Sequence, residues 1–288
     1  MVDQSNLRSK YLLDGYVMVK SVFKKEHISN LRDKMIDLSY NNPETKEILL
    51  FEDVQNLILN KKLIQTIKEI LGTNEILYFG DSGIVNHVEP FKNRNGYHND
   101  ARGEAKDIPY KEEYPIVRVG IYFENYKDFS GGLKIKKKSH KYFIFNFRRI
   151  FADLIKIAQI LFTKTRYSLG SLKLGKSVNL EIEEGDVIIW NLRTHHSGTS
   201  RRLKFFKNVC LQPHIEKFLP LWLFLPTQYS KNRCSIFSTF SKNDLKNKNI
   251  KGYIDKKINP NKLNKIKLNS NLLKKMRENS CFLPESIS

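Results

Sequence analysis

The segment Tyr97-His98-Asn99-Asp100-Ala101 sets an imidazole and a carboxylate two positions apart. Side chains alternate along an extended chain, so His98 and Asp100 point to the same side and can share one metal ion. A third ligand must come from elsewhere. Much later, Asp186-Val187-Ile188-Ile189-Trp190-Asn191-Leu192-Arg193-Thr194-His195-His196-Ser197-Gly198 reads as a strand that runs into a pair of histidines. Alternation sends His195 and His196 to opposite faces, so one of the two can complete the set. Two imidazoles and a carboxylate on one face of an octahedron leave three positions open. That is the ligand set of non-haem Fe(II) sites that take a bidentate 2-oxo acid and O2. His-x-Asp alone is a weak signal, and the histidines at His27, His87, His140 and His214 read as structural.

These residues need a frame. Tyr16–Val19 follows Asp14-Gly15 as a turn and then a short strand. Ser21–Leu38 carries Ile28, Leu31, Met35 and Leu38 at helical spacing, and Leu63, Ile64, Ile67, Ile70 and Leu71 form a second stripe that stops at Gly72. From Glu75 the pattern changes to short strands between turns: Ile76–Phe79, Ile84-Val85, Ile116–Tyr122, Leu133–Ile135, Val178–Ile182, Val187–Trp190 and Phe205–Leu211. The turn Glu183-Glu184-Gly185-Asp186 has the composition of a hairpin. Strands at this density predict a sandwich or barrel, mainly β with flanking helices. A helical insertion with Ile150, Phe151, Leu154, Ile157 and Leu161 on one stripe interrupts them at roughly 143–165. After Pro226 the core signal fades into a Lys- and Asn-rich stretch, read as a loosely held tail with a short helix near Leu272. The expected division is a domain over 1–228 and a basic extension over 229–288.

Composition limits the partners. The chain has 288 residues, enough for one large domain, and 50 Lys and Arg against 30 Asp and Glu give a net charge of +20. Such an excess bears on partners, not on fold. Lys, Asn and Ile are abundant together, as biased genome composition produces, so nucleic acid is not expected as a partner. Three cysteines without metal-type spacing, no signal-peptide core and no run of ~18 apolar residues point to a cytoplasmic protein. The insertion's basic residues and the apolar run Phe218–Leu225 have two readings, a lid packed over the barrel or a surface that meets an anionic membrane.

In order along the chain, several segments resemble the phytanoyl-CoA dioxygenase family. Asp14-Gly15-Tyr16-Val17-Met18-Val19 with Phe23–Ile28 is similar to its opening strand and helix, and Tyr97–Asp100 to its His-x-Asp. Ser130-Gly131-Gly132-Leu133 and Lys138-Ser139-His140 are similar to its Gly-Gly-Leu and Gly-Ser-His stretches. Gly185–Trp190 with Arg193 and His196-Ser197-Gly198 is similar to its Gly-Asp strand and distal histidine. The likeness spans roughly 14–212. It implies a double-stranded β-helix, a jelly roll of cupin type, with Fe(II) held by His98, Asp100 and His196. It also implies 2-oxoglutarate and O2 as cosubstrates, hydroxylation of a small organic or lipid-like substrate, and release of succinate and CO2. Lys138 stands where the family has glycine.

The same resemblance asks for a cation on the strand after the distal histidine, to pair with the far carboxylate of 2-oxoglutarate. Arg201, Arg202 and Lys207 compete: Arg202 has the bidentate fork, and Lys207 has the family's more usual spacing. Arg202 is preferred. Arg118, mid-strand in apolar company, is expected to have a carboxylate partner, either a cosubstrate, a substrate or an internal ion pair. Two other readings stand beside the hydroxylase. One is a catalytically silent β-helix that binds a polyanion through its basic surface. The other is a metal-binding cupin that uses no 2-oxoglutarate.

Overall fold

In a computed structural model of the chain, the residues described are 7–41, 49, 51–80, 83–87, 97–101, 113–128, 132–141, 177–198, 202–205, 210, 219–225, 233–257 and 270–284. The expected helical insertion at 143–165, together with Arg201 and Lys207, lies outside them. Six helices are described: α1 (Leu7–Asp14), α2 (Lys25–Asn41), α3 (Glu52–Ile58), α4 (Lys61–Leu71), α5 (Lys248–Lys257) and α6 (Ser270–Glu278). The strands are β1 (Tyr16–Val19), β2 (Ile76–Tyr78), β3 (Gly83–His87), β4 (Ile116–Tyr122) and β5 (Lys134–Lys136). They continue with β6 (Ser177–Asn179), β7 (Val187–Asn191), β8 (His196–Ser197), β9 (Arg233–Lys242) and β10 (Cys281–Phe282).

The strands form two sheets. The larger has the order β1-β7-β4-β9-β2-β10, with β3 also paired to β9, and the smaller has the order β6-β5-β8. The molecule is thus mainly sheet with flanking helices. Alternation divides the faces of the large sheet cleanly. Val117, Val119 and Ile121 of β4, Val187 and Ile189 of β7, and Ile236 of β9 pack against the N-terminal helices through Ile28, Leu31, Met35, Ile64 and Ile67. The opposite face meets the small sheet in a second cluster, Tyr16, Tyr122, Leu133, Ile135, Leu180, Ile182, Ile188 and Trp190. Cross-strand register lines up Arg118, Gly120 and Tyr122 with Thr239, Phe237 and Ser235 on this second face.

Local chemistry sets the boundaries. The Asn60 side chain accepts from the backbone N–H groups of Lys62 and Leu63 and starts α4, and Gly72 ends it in the left-handed region at φ +63°. Gly185 has φ +84°, and a Cβ there would lie 2.3 Å from the Phe23 carbonyl oxygen. Beside it the buried Asp186 carboxylate accepts from the N–H groups of Ser21 and Glu183 and from Lys20 Nζ. This turn therefore ties the β1–α2 connection to the start of β7. It is not a hairpin turn: β6 pairs with β5 and β7 pairs with β1 and β4, so the turn carries the chain from one sheet to the other.

The largest departure from expectation is beyond Pro226. Residues 233–242, expected in a loose tail, form the longest strand, which pairs with β2, β3 and β4. The expected boundary after 228 thus falls just before a central strand. The sequence Arg-Cys-Ser-Ile-Phe-Ser-Thr-Phe-Ser-Lys hides it because five of its positions are basic or hydroxyl-bearing residues buried in pairs with other strands. The short helix near Leu272 is present as α6, with Leu272 and Met276 buried, and β10 then joins the edge of the large sheet. Among the described residues no helix is long and apolar enough to cross a membrane.

Two outcomes follow from this packing. A chain cut after residue 228 leaves β2, β3 and β4 without their shared partner, and it should show no cooperative transition in thermal unfolding by circular dichroism. Lys138 is exposed and holds φ +64°, a conformation that costs a side chain about 1–2 kcal/mol. Lys138→Gly should therefore raise stability by about 1 kcal/mol in urea titration, after the entropy that glycine gives back to the unfolded chain.

Candidate metal centre

Segment 97–101 is clamped onto the strand that ends the β7–β8 connection. The N–H of His98 donates to the His196 carbonyl at 3.0 Å, and the N–H of His196 donates back to the His98 carbonyl at 2.8 Å. The Leu192 carbonyl accepts from both Asp100 N–H (2.9 Å) and Ala101 N–H (3.1 Å). This antiparallel bridge puts His98 and His196 opposite each other, with ring centroids 4.4 Å apart. Asp100 Oδ2 lies 3.6 Å from His196 Nε2, and Asp100 Oδ1 lies 3.9 Å from His98 Nε2. One ligand atom from each of the three residues falls within 4.8 Å of the others, the only such His/Cys/Asp/Glu group among the described residues.

The doubled histidine resolves as strand alternation requires. His196 pairs across from Ile135 and shares its inward face. His195 points away: its N–H donates to Ser139 Oγ at 2.8 Å, and its Nε2 lies 3.4 Å from Asn99 Nδ2. Asn99, between the two ligands, alternates outward in the same way. His196 Nδ1 sits 3.1 Å from the Thr194 carbonyl oxygen, which can only accept. The proton is therefore on Nδ1, and the Nε2 lone pair is free to bind a cation. Burial of the His196 ring lowers its pKa, against the pull of Asp100. Burial would raise the Asp100 carboxyl, but the charges of His196, Arg118 and His98 hold it below the ordinary range. An ionised carboxylate beside a neutral imidazole is the state that metal binding requires. Nitrogen and oxygen donors without sulfur suit Fe(II), Mn(II), Co(II) or Ni(II).

Arg118 lies on the inward face of β4, directly opposite Trp190 and Thr239. Its Nη1 donates to Thr239 Oγ1 at 2.5 Å. Arg202 goes elsewhere. Its Nη1 donates to Glu181 Oε1 at 2.8 Å and its Nη2 to the Asn179 carbonyl at 3.2 Å, beside the Tyr126 ring. Asn179 and Glu181 alternate with the inward Leu180 and Ile182, so this ion pair is on the outer side of the small sheet. The fork of Arg202 is thus already taken by Glu181, a carboxylate 21 residues earlier that local sequence does not reveal as its partner.

Arg233, at the start of β9, is a further cation on the interior face. Its Nη1 donates to the Gly198 carbonyl, two residues past His196, and its guanidinium lies 5.9 Å from the Tyr122 ring. Ser235, Phe237 and Thr239 continue the same face. The Tyr122 hydroxyl is buried with no hydrogen-bond partner, and burial raises its pKa to about 12, so it is a protonated donor. A small cleft opens here, lined by Tyr122, Glu124, Asn125, Tyr126, Gly132, Ile182 and Arg233. Burial pushes the Glu124 carboxyl up to about 7, against the Cys234 N–H and the charges of Arg233 and Arg32. Near neutral pH Glu124 thus only partly offsets the Arg233 charge. Sequence reading missed Arg233 because the tail was not recognised as a strand; the alternation Arg233, Ser235, Phe237 was the available signal.

No protein-family model matches the chain, and no curated protein is similar to it in sequence. Solved structures are similar in fold. The non-heme alpha-ketoglutarate-dependent carbocyclase SnoK from nogalamycin biosynthesis superposes with TM-score 0.54 at 14% identity, over 84% of this chain and 85% of that one. The epimerase SnoN of the same biosynthesis gives 0.53 at 12% over 83% and 80%. HygX from Streptomyces hygroscopicus, solved with nickel and 2-oxoglutarate, gives 0.53 at 11% over 84% and 87%.

If the three inward donors hold the ion, calorimetric titration of the metal-free protein with Co(II) under anaerobic conditions should give one site per chain. Asp100→Ala and His196→Ala should each weaken it by at least tenfold, while His195→Ala should match the wild type. Loss of the site in His195→Ala alone would reverse the register assignment.

Proposed function

We propose that the chain is an Fe(II)- and 2-oxoglutarate-dependent oxygenase acting on a small organic or lipid-like substrate. One observation carries this reading. Along a single interior run, from His196 to Gly198, the chain offers first a three-donor metal cradle and then a buried guanidinium. A dicarboxylate that chelates a metal needs this sequence of groups. The sheet orders, with β8-β5-β6 facing β7-β4-β9-β3, agree with a double-stranded β-helix, and the fold is shared with enzymes solved with iron or nickel and 2-oxoglutarate. The likeness to phytanoyl-CoA dioxygenases in the motifs is part of the same reading.

In this scheme His98, Asp100 and His196 hold the iron. Bound there, it would supply the oxidative decarboxylation of 2-oxoglutarate to succinate and CO2, coupled to oxygenation of the substrate. The protein's own contributions are positional. The Thr194 carbonyl keeps the proton of His196 on Nδ1. Arg233 takes the distal carboxylate, with the Tyr122 hydroxyl and Ser235 as flanking donors; a charged pair with a guanidinium fork in a dry site fixes both position and orientation. Arg118 puts a second positive charge beside Asp100, which suits the end of the diacid that meets the metal. The apolar ring of Tyr16, Ile135, Leu180, Ile188 and Trp190 excludes water from the reacting centre. Asp100 keeps a carboxylate in the cradle, which leaves no protein-vacated position for a halide and argues for hydroxylation over halogenation.

A cupin that needs no 2-oxoglutarate would have no use for a buried cation past the distal histidine. Arg233 therefore weighs against that reading. Arg233→Gln removes the charge while keeping hydrogen-bond donors. It should weaken 2-oxoglutarate binding to the Ni(II)-loaded protein by about 30-fold or more in calorimetric titration, corresponding to a loss on the order of 2–5 kcal/mol. Ni(II) binding should stay unchanged. Arg202→Gln should bind 2-oxoglutarate as the wild type does. Equal affinity in Arg233→Gln and wild type would remove the proposed cosubstrate site.

A further inference from the structure

Residues 202–205 and 219–225 form a small projection at the outer side of the small sheet. Leu203 and Phe224 make an antiparallel bridge, Lys204 N–H donates to the Leu223 carbonyl at 2.8 Å, and Leu225 N–H donates to the Arg202 carbonyl at 2.9 Å. Alternation sorts the side chains. Leu203 and Phe224 are buried, and Arg202 is pinned to Glu181. Three large apolar groups are left facing solvent: Phe205 at 65%, Leu221 at 62% and Trp222 at 68% exposure. A core would bury such groups, and among the described residues nothing covers them. Lys204 is exposed in their midst, its Nζ 5.6 Å from the Phe205 ring.

We propose that this Phe205–Leu221–Trp222 projection docks the protein onto an anionic lipid surface. The inference does not depend on the reading of the metal centre. An aromatic and aliphatic tip with a lysine beside it matches the boundary between headgroups and acyl chains, where tryptophan is favoured. The charge is complementary. From Ser197 to Asn232 the sequence has six basic residues and one acidic residue, in a chain of net charge +20. Basic residues next to an inserted apolar group are drawn to the negative cytoplasmic leaflet and add to the binding that apolar burial gives. A protein partner would explain the apolar groups but not the excess of basic over acidic residues in this stretch of the sequence. A lipid surface would also bring the oxygenase site close to apolar substrates.

The test uses the full chain. It has two tryptophans, and Trp190 is 1% exposed while Trp222 is 68% exposed, so a change in emission on vesicle addition reports Trp222. Wild type should sediment with mixed phosphatidylcholine–phosphatidylserine vesicles, with a blue shift in emission, and should remain in solution with pure phosphatidylcholine. The double variant Phe205→Ser/Leu221→Ser should partition at least tenfold more weakly while it unfolds at the same temperature and binds Co(II) as the wild type does. Trp222→Phe should still sediment and lose the spectral shift. Wild type that stays in solution with the serine-containing vesicles overturns the proposal. So does a double variant that sediments like the wild type, which would assign binding to charge elsewhere on the surface. A wild-type dimer that the double variant converts to monomer, without vesicle binding by either, would assign the face to a second copy of the chain and equally overturn it.

Discussion

Two reciprocal backbone hydrogen bonds between His98 and His196 set the terms for everything else in the site. They join positions separated by most of the sheet-forming sequence, and they do so without using either side chain. Because the bridge is antiparallel, both imidazoles fall on one face, and the period-two alternation then brings Asp100 to the same face and sends Asn99 and His195 to the other. The Leu192 carbonyl, which accepts from Asp100 and Ala101 together, prevents a slip of one residue. A slip would exchange ligands for non-ligands at every position. The three-donor cluster is thus a property of strand register first and of residue type second.

Charge is distributed inside the molecule along the same line. The cradle itself brings one carboxylate and two imidazoles, with burial favouring neutral His196. Arg118 near this end and Arg233 further along give the interior a positive character that protein carboxylates only partly match, since burial raises Glu124 to about 7. An interior with this balance of charge is suited to admit an anion. Arg202 makes the contrast. It is at least as buried, but Glu181 sits at 2.8 Å and its charge is already answered outside the small sheet. Arginine type and burial do not separate the two; the direction in which each side chain leaves its strand does.

The sequence made the short, strongly patterned parts legible. β1, β4 and β7 fall where apolar alternation and bounding turns put them, and α4 ends at Gly72 as its stripe does. The cluster of His98, Asp100 and His196 was readable because strand alternation relates His98 to Asp100 locally, and four segments in sequence order pointed to His196. What escaped depended on distant partners. β9 carries buried serines, a threonine and an arginine, and its central place comes from strand pairing with β2, β3 and β4, so nothing in its own composition marked it as central. The boundary expected after 228 lies just before β9, and Arg233 went unnoticed because that strand was not recognised. Lys138 shows the reverse case. Its departure from a glycine-type motif was visible in sequence, and the backbone there does hold φ +64°, a glycine-like conformation occupied by a lysine.

On the proposed function, one interior line holds a metal at one end and a diacid's far carboxylate at Arg233. The most direct measurement is a crystal structure of the protein with Ni(II) and 2-oxoglutarate, with anomalous differences collected at the nickel edge. One anomalous peak bounded by His98, Asp100 and His196 is expected, with continuous density for the diacid from that peak to the guanidinium of Arg233. A peak elsewhere, or a diacid whose far carboxylate rests on a different cation, would contradict it.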